Sequence, residues 1–96
     1  MSVTIIYNFR ATDGNADELV ALLLGGRDFG RTVAGCEGFD VYQDRDDPRN
    51  VVMIETWGSA ETQRDHLETN VIPSGAYDKV AALLVDPPQA RYFVKQ

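Results

Sequence analysis

The sequence has little of what several large classes of protein require. Its 96 residues contain a single cysteine, Cys36, so no internal disulfide can form, whereas small secreted domains usually depend on several. No apolar run approaches the roughly 18 residues that span a bilayer, and the N-terminus lacks the basic and then apolar layout of a signal peptide. We therefore expect a mature protein in the reducing cytoplasm.

Positive charge is also scarce. The 9 Lys and Arg residues face 15 Asp and Glu residues, which gives a net charge of -6. Such a surface repels phosphate backbones and anionic lipid. We expect no nucleic-acid partner and no membrane partner, and the ligand should be small and neutral or apolar.

Motifs that hold cofactors are missing as well. No Gly-rich phosphate loop follows a strand, no His and Cys pair has zinc spacing, and no Ser, His and Asp set can be assembled. We therefore expect neither a metal nor another cofactor. What is present, 44% hydrophobic and 25% charged residues, is typical of one globular domain over residues 1–96.

The first third of the chain predicts a strand and a long helix. Val3 to Arg10 alternates with a period of two in β-formers and predicts a strand with one strongly apolar face. A helix from about Ala16 to about Val33 follows. Gly25 and Gly26 lie inside it and could kink or split it, and together with Gly30 they either thin the helix over a pocket or allow close contact with the sheet.

The remaining elements follow from the same rules. They are strands at Phe39–Gln43, Val51–Trp57 and Ala90–Lys95, a short helix capped by Ser59 and running to about Glu68, and a helix opened by Pro73 and Ser74 and stopped by Pro87 and Pro88. The segment from Thr69 to Ser74 is expected to separate the two helices.

The order β-α-β-β-α-α-β predicts an α+β, ferredoxin-like domain, in which an antiparallel four-stranded sheet carries its helices on one face. The other face includes Thr4, Ile6, Val52 and Ile54, a set too apolar to remain in water. A second copy that seals sheet against sheet is the simplest cover. We therefore expect a homodimer of the dimeric α/β-barrel type, with the helices outside.

A series of short motifs resembles a known family. It comprises Gly35-Cys36-Glu37-Gly38-Phe39, Asp46-Asp47-Pro48, Glu55-Thr56-Trp57, Ser59-Ala60 and His66-Leu67. These motifs resemble those of the antibiotic biosynthesis monooxygenase family, and the resemblance extends over almost the whole chain. It implies the ferredoxin-like fold and a dimer, whereas the chemistry varies among family members.

The resemblance implies a particular reaction. In cofactor-free members an electron-rich phenol is deprotonated in an apolar pocket between helices and sheet, and its anion transfers an electron directly to dioxygen. We therefore expect a cofactor-independent monooxygenase that oxidises a quinol, anthrone or related polycyclic phenol. Haem-degrading members need particular residues at positions where this chain has Tyr7, His66 and Gly75, so no haem is expected.

Three side chains are candidates for catalysis. His66 is the only histidine, and it could accept the substrate proton, hydrogen-bond the substrate oxygen, or simply pack against the helix layer. Trp57 could stack on a planar ligand or anchor the core. Tyr7 is expected to face the helices, where the pocket should lie.

The apolar part of the pocket is expected to bind the substrate through Phe29, Phe39, Met53 and Tyr77. Glu55 shares the face of Trp57, and a carboxylate in an apolar layer is costly unless it is paired. We expect Glu55 to form a salt bridge with Arg10 or Arg91 rather than to act in catalysis.

Two other functions stay open at this stage. The chain could be a non-catalytic homodimer that binds a small hydrophobic metabolite. It could also be an isomerase of a small phosphorylated carbonyl compound, which the acidic charge and the scarcity of pocket cations disfavour.

Overall fold

The computed structural model describes residues 1 to 96, which form one sheet and a layer of helices. The strands are β1 (Val3–Arg10), β2 (Cys36–Gln43), β3 (Asn50–Trp57) and β4 (Gln89–Phe93), and the helices are α1 (Ala16–Gly30), α2 (Ala60–His66) and α3 (Ala76–Ala81). A π-helical turn, Leu67–Val71, continues α2. The predicted α+β class and the predicted order of elements are confirmed.

The four strands form an antiparallel sheet in the order β2-β3-β1-β4. Ile5 pairs with Glu55 and Tyr7 pairs with Met53, so the odd-numbered residues of β1 and β3 share one face of the sheet. We call this the inner face, because it packs against the helices. The outer face carries the even-numbered residues of both strands.

The core consists of two clusters on the inner face. One joins Phe9 and Val51 to the α1 residues Leu19 and Leu23. The other is built around Ile5, Phe39 and Trp57. Tyr7 and Met53 pack against both clusters, so the middle of the sheet is the place where the two parts of the core meet.

The end of α1 differs from its prediction. The helix stops at Gly30 instead of about Val33, and it runs without a break through Gly25 and Gly26. The chain must turn toward β2, and Gly35 makes that turn with a φ of 93°, which lies in the left-handed region that glycine tolerates best. The apolar spacing thus predicted too long a helix, because it counted residues of the turn as helical.

The region after α2 also differs from its prediction. Ser59 caps α2 as expected, because its hydroxyl oxygen accepts a hydrogen bond from the Thr62 amide. The stretch predicted to break the helix instead continues it as the π-helical turn. Pro73 and Ser74 lie in the following turn, and α3 begins only after Gly75, whose φ is 79°. At the C-terminus, β4 ends at Phe93 rather than Lys95.

Substitution by alanine should have opposite effects on stability at two glycines of α1. A Cβ at Gly30 would lie 2.6 Å from a carbon of the Phe39 ring, whereas one at Gly25 would meet nothing within 4 Å. Because the Phe39 ring is buried, we expect Gly30→Ala to lower the free energy of unfolding by about 1–3 kcal/mol. Gly25→Ala should raise it by about 1 kcal/mol through helix propensity. Urea unfolding of both variants tests this, and equal effects would contradict the packing argument.

Candidate functional site

A cavity of about 320 Å³ lies between the inner face of the sheet and the helix layer. Its wall comes from β1, α1, β2, β3, the end of α2, the π-helical turn, α3 and β4, and 14 of its 18 lining residues are hydrophobic. No lysine or arginine lines it. A cavity of this character suits a small apolar ligand that carries few polar groups.

A second hollow, of about 510 Å³, lies at the end of the sheet near the β2-β3 hairpin. Only 4 of its 12 lining residues are hydrophobic, and Arg10 and Asp44 on its wall are exposed side chains. Size alone therefore does not identify the site. The smaller cavity encloses buried ionisable groups, which is why we treat it as the candidate active site.

Glu55 is the only carboxylate that lines this cavity, and it is 4% exposed. Trp57 Nε1 donates a hydrogen bond to Glu55 Oε1 at 2.9 Å. Burial raises the pKa of Glu55 from 4.5 to about 7, and the Trp57 hydrogen bond opposes that rise only in part. Near neutral pH this carboxyl group can therefore both accept and release a proton.

The predicted salt bridge of Glu55 is wrong. Arg91 is paired with Ile6 across the β1-β4 ladder, so it belongs to the outer face, opposite to Glu55. Arg10 also belongs to the outer face, and it binds Asp47 at 2.9 Å. Neither arginine can reach the inner face, and Glu55 remains without a cation.

His66, at the end of α2, is more deeply buried than expected, with 5% exposure. Its ring stacks on Trp57 at a centroid distance of 5.0 Å and on Phe29 at 6.1 Å. Burial lowers the pKa of His66, so the ring is neutral at pH 7. Asn70 Nδ2 lies 3.0 Å from His66 Nδ1. With Asn70 Nδ2 placed as the donor, Nδ1 accepts and the ring proton is on Nε2.

Two atoms near Trp57 have no partner within the protein. Glu55 Oε2 and His66 Nε2 form no hydrogen bond, yet no fully buried side-chain oxygen or nitrogen lacks one. Neither atom is therefore sealed in the core, and both residues line the cavity. The cavity thus offers a proton acceptor and a hydrogen-bond donor to a ligand.

Tyr7 supplies a further polar group. Gln63 Nε2 donates a hydrogen bond to the Tyr7 hydroxyl oxygen at 3.1 Å, and the Tyr92 hydroxyl donates to Gln63 Oε1 at 3.3 Å. Burial, followed by the nearby charge of Glu55, raises the pKa of Tyr7 far above its ordinary value. Tyr7 is therefore always protonated and can act as a hydrogen-bond donor but not as a base.

The structure brings together most of the residues that the sequence proposed. Tyr7, His66, Phe39, Met53 and Tyr77 line the cavity. Trp57 does not line it: the ring is fully buried and contacts Glu55 and His66 from behind. Phe29 is 53% exposed and stacks on His66 outside the cavity wall.

Two polar residues of the cavity wall were not proposed as site residues from the sequence. Glu55 was assigned to a salt bridge, and Tyr92 was missed. The signal for Glu55 was its position in β3, in phase with Met53 and Trp57 and out of phase with both arginines proposed as its partners. No group of three His, Cys, Asp or Glu side chains is arranged to hold a metal ion. No helix has the length and apolar character needed to cross a membrane.

The sequence matches one known protein family. The family described as antibiotic biosynthesis monooxygenase matches residues 2–73. That stretch contains β1 to α2 and the π-helical turn, and hence Tyr7, Glu55, Trp57 and His66. No curated protein matches the sequence.

Several solved structures share the fold. The Rv0793 protein from Mycobacterium tuberculosis has 22% identity and a TM-score of 0.89, covering 100% of this chain and 96% of its own. A candidate antibiotic biosynthesis monooxygenase from Chloroflexus aurantiacus has 26% identity and a TM-score of 0.83, covering 100% and 94%. The PA3566 protein from Pseudomonas aeruginosa has 25% identity and a TM-score of 0.85, covering 99% and 94%.

Proposed function

We propose, because the chain belongs to the antibiotic biosynthesis monooxygenase family, that it oxidises a quinol, anthrone or related polycyclic phenol with dioxygen and without a cofactor. The observation that carries this proposal is the apolar cavity with Glu55 and His66 on its wall. An apolar wall suits a flat aromatic ring, and the two polar groups suit a phenolic oxygen.

The reaction needs a substrate that supplies its own electrons. Deprotonation of the phenol gives an electron-rich anion, which passes one electron to dioxygen. The substrate radical and superoxide then combine to form a peroxide. Loss of water leaves one oxygen atom in the product ketone or quinone, so the substrate loses four electrons in all and dioxygen gains them.

The residues of the cavity favour the first of these steps. Tyr7 is protonated and can donate a hydrogen bond to the developing anion, as can His66 through Nε2. Phe39, Met53 and Tyr77 surround the apolar part of the space. Exclusion of water by these side chains strengthens the hydrogen bonds inside the cavity.

We further propose that the protein acts as a homodimer in the cytoplasm. Ile6 and Ile54 face each other directly across β1 and β3 on the outer face, and no helix of the chain covers them. A second copy would remove this apolar surface from water. The single cysteine, Cys36, suits a reducing compartment.

Oxygen uptake tests the proposed reaction. Purified protein, treated with a chelator, is incubated with anthrone or menadiol, and oxygen consumption is compared with spontaneous oxidation of the same compound. We expect saturable uptake above the spontaneous rate and a product that contains one added oxygen atom. Saturable binding of the same compounds without excess uptake would instead support the alternative, a binding protein for a small hydrophobic metabolite.

A pair of glycine variants shows whether the reaction occurs in the cavity. Gly26 lines the cavity, whereas its neighbour Gly25 does not, and neither would meet an atom within 4 Å of an added Cβ. We expect Gly26→Leu to lower uptake by about tenfold or more, because the side chain extends into the binding space. Gly25→Leu changes the same helix and should retain the rate. Equal loss in both variants would place the reaction elsewhere.

A further inference from the structure

The cavity holds one carboxylate and no cation, and this combination determines how a proton can move in it. Glu55 lines the cavity; its oxygen Oε2 is unbonded and not sealed in the core, while Oε1 is held by Trp57 Nε1 at 2.9 Å. We infer that Glu55 is the catalytic base that takes the phenolic proton, that His66 donates a hydrogen bond to the resulting anion, and that Trp57 is a positioning residue for Glu55. This inference rests on the proposed function.

Geometry argues against the histidine as the base. His66 Nδ1 is occupied by the Asn70 amide, so its only free ring nitrogen, Nε2, carries the proton. A nitrogen that already carries a proton cannot accept another one. It can instead donate to an oxygen that gains negative charge, which is the role we assign to it.

Charge balance also favours the carboxylate. Before transfer the cavity holds the Glu55 anion and a neutral phenol, and after transfer it holds a neutral acid and the phenolate. The cavity therefore contains one negative charge throughout, and no new charge is created in an apolar space. Transfer to a neutral histidine would create two opposite charges there, at a higher desolvation cost.

The atoms and electrons of the step are accounted for. The substrate O–H bond breaks, an O–H bond forms at Glu55 Oε2, and the electron pair of the broken bond stays on the phenolate oxygen. Dioxygen is the oxidant in the later steps, and the proton held by Glu55 is available to the peroxide oxygen that leaves as water. Glu55 then returns to its anionic form.

Few other ionisable groups can influence Glu55. Burial raises its pKa to about 7, which places the base in its working range near neutral pH. The ionisable side chains that face it are Tyr7 from β1, Cys36 from β2, His66 from α2, Tyr77 from α3 and Tyr92 from β4, while α1 contributes none. None of these is positively charged at pH 7, and Arg31, which follows α1 and whose charge acts on Cys36, is bound to Asp40.

Ionisation of a bound phenol tests the proton transfer independently of any oxidation. A nitrophenol that ionises near neutral pH absorbs differently as an anion and as a neutral molecule. It is bound to wild-type protein and to Glu55→Gln under nitrogen, at several pH values between about 7.5 and 9. In the wild type, Glu55 and the probe share one proton, so we expect the ratio of anion to neutral probe to change little over this range. In Glu55→Gln the probe exchanges its proton with the solution, and the ratio should rise about tenfold per pH unit. A tenfold rise per pH unit in the wild type as well would overturn the assignment of Glu55.

Turnover gives the second test. We expect Glu55→Gln to lower kcat with anthrone by about 100-fold or more, with little change in KM. Glutamine keeps an oxygen that can accept the Trp57 hydrogen bond, so the geometry is retained. If wild-type protein turns over neither substrate but shares one proton with the bound probe, the proposed reaction fails while the base assignment stands. Retained turnover in Glu55→Gln overturns the assignment.

The positioning role of Trp57 requires a readout that simple packing would not change. The wild-type kcat/KM should rise with pH as Glu55 loses its proton. The Trp57 hydrogen bond favours the ionised carboxylate, so Trp57→Phe should move the midpoint of that profile to higher pH. His66→Gln should lower the rate at every pH without moving the midpoint. If the midpoint of the kcat/KM profile does not move in Trp57→Phe, Trp57 contributes only to packing and does not position Glu55.

Discussion

Glu55→Gln is expected to be more stable than the wild type at pH 9 by about 3 kcal/mol, and equally stable at about pH 4. Burial raises the pKa of Glu55 from 4.5 to about 7 in the folded state, and each pKa unit corresponds to 1.36 kcal/mol. The folded protein therefore holds the Glu55 proton more tightly than the unfolded chain does. Glutamine resembles the protonated acid at every pH and has no proton to lose.

The sign of this effect follows from proton binding. Between pH 4.5 and about 7 the folded state binds more protons at Glu55 than the unfolded state. The free energy of unfolding must then fall as the pH rises through this window. Below it the carboxyl group is neutral in both states, and above it the full cost of the buried anion is present.

Urea unfolding of both proteins at several pH values measures the difference. All other titrating groups, including His66, are common to the two proteins and cancel. Glu61→Gln is a suitable control, because Glu61 is exposed on α2 and surface charges contribute little to stability. A stability difference between wild type and Glu55→Gln that is independent of pH would show that Glu55 is not buried as described.

The proposed role of Glu55 as a base explains why an unpaired carboxylate lies in the core. A buried charge without a cation lowers stability, and a leucine or glutamine at residue 55 would fold better. The chain nevertheless holds Glu55 beside the indole of Trp57 and open to a cavity. Sites that break the ordinary rules of folding are often functional, since stability is given up there for chemistry.

Much of the fold was predictable because strand periodicity is a local property. The alternation in β1 predicted both of its ends, Val3 and Arg10, as the structure has them. The end of α1 was not predictable, because apolar spacing continues to Val33 while the chain has already turned. That turn depends on contacts distant in sequence, such as the hydrogen bond from Arg31 Nε to the Phe39 carbonyl. Spacing alone cannot reveal such contacts.

The π-helical turn illustrates the same limit. The segment from Thr69 to Ser74 was predicted to separate two helices, but the helical turn extends to Val71 before the separation occurs. Pro73 does not open the next helix, which begins at Ala76. Leu67 and Val71 from this turn lie on the cavity wall, so tertiary packing holds a segment that local rules would leave irregular. Insertions of this kind are often found at functional sites.

The candidate site was predicted in part, because a strand pattern gives the face of a residue but not its depth. It placed Tyr7, Glu55 and Trp57 on one face, as the register confirms. It could not tell that Trp57 would be fully covered or that His66 would be buried. The partner of Glu55 was mispredicted because the two arginines were considered by charge and not by strand phase.

The second large effect concerns the outer face of the sheet, where Ile54→Glu is expected to dissociate the proposed dimer. Ile54 is paired with Ile6 at the centre of the β1-β3 ladder, and the nearby Thr4 is paired with Phe93. Phe93 is 45% exposed in a single chain, which is a large apolar area to leave in water. A two-fold axis through this face would bring both copies of each side chain into the interface.

Ile54→Glu should place two glutamates in the interface, one from each copy. Each glutamate would be buried against an apolar surface without a cation, at a cost of several kcal/mol. We expect the dissociation constant to rise by about 1,000-fold or more, which corresponds to about 4 kcal/mol. Sedimentation at micromolar concentration should then give a dimer for the wild type and a monomer for Ile54→Glu.

A matched control separates this effect from added negative charge. Ala82→Glu introduces the same charge at an exposed position at the end of α3, on the helical side of the molecule, and should remain dimeric. Circular dichroism establishes that both variants are folded. A monomeric wild type, or an Ile54→Glu variant that still sediments as a dimer, would contradict pairing through the outer face. Since the residues that line the cavity on the inner face all come from one chain, a folded Ile54→Glu monomer should still bind the nitrophenol probe.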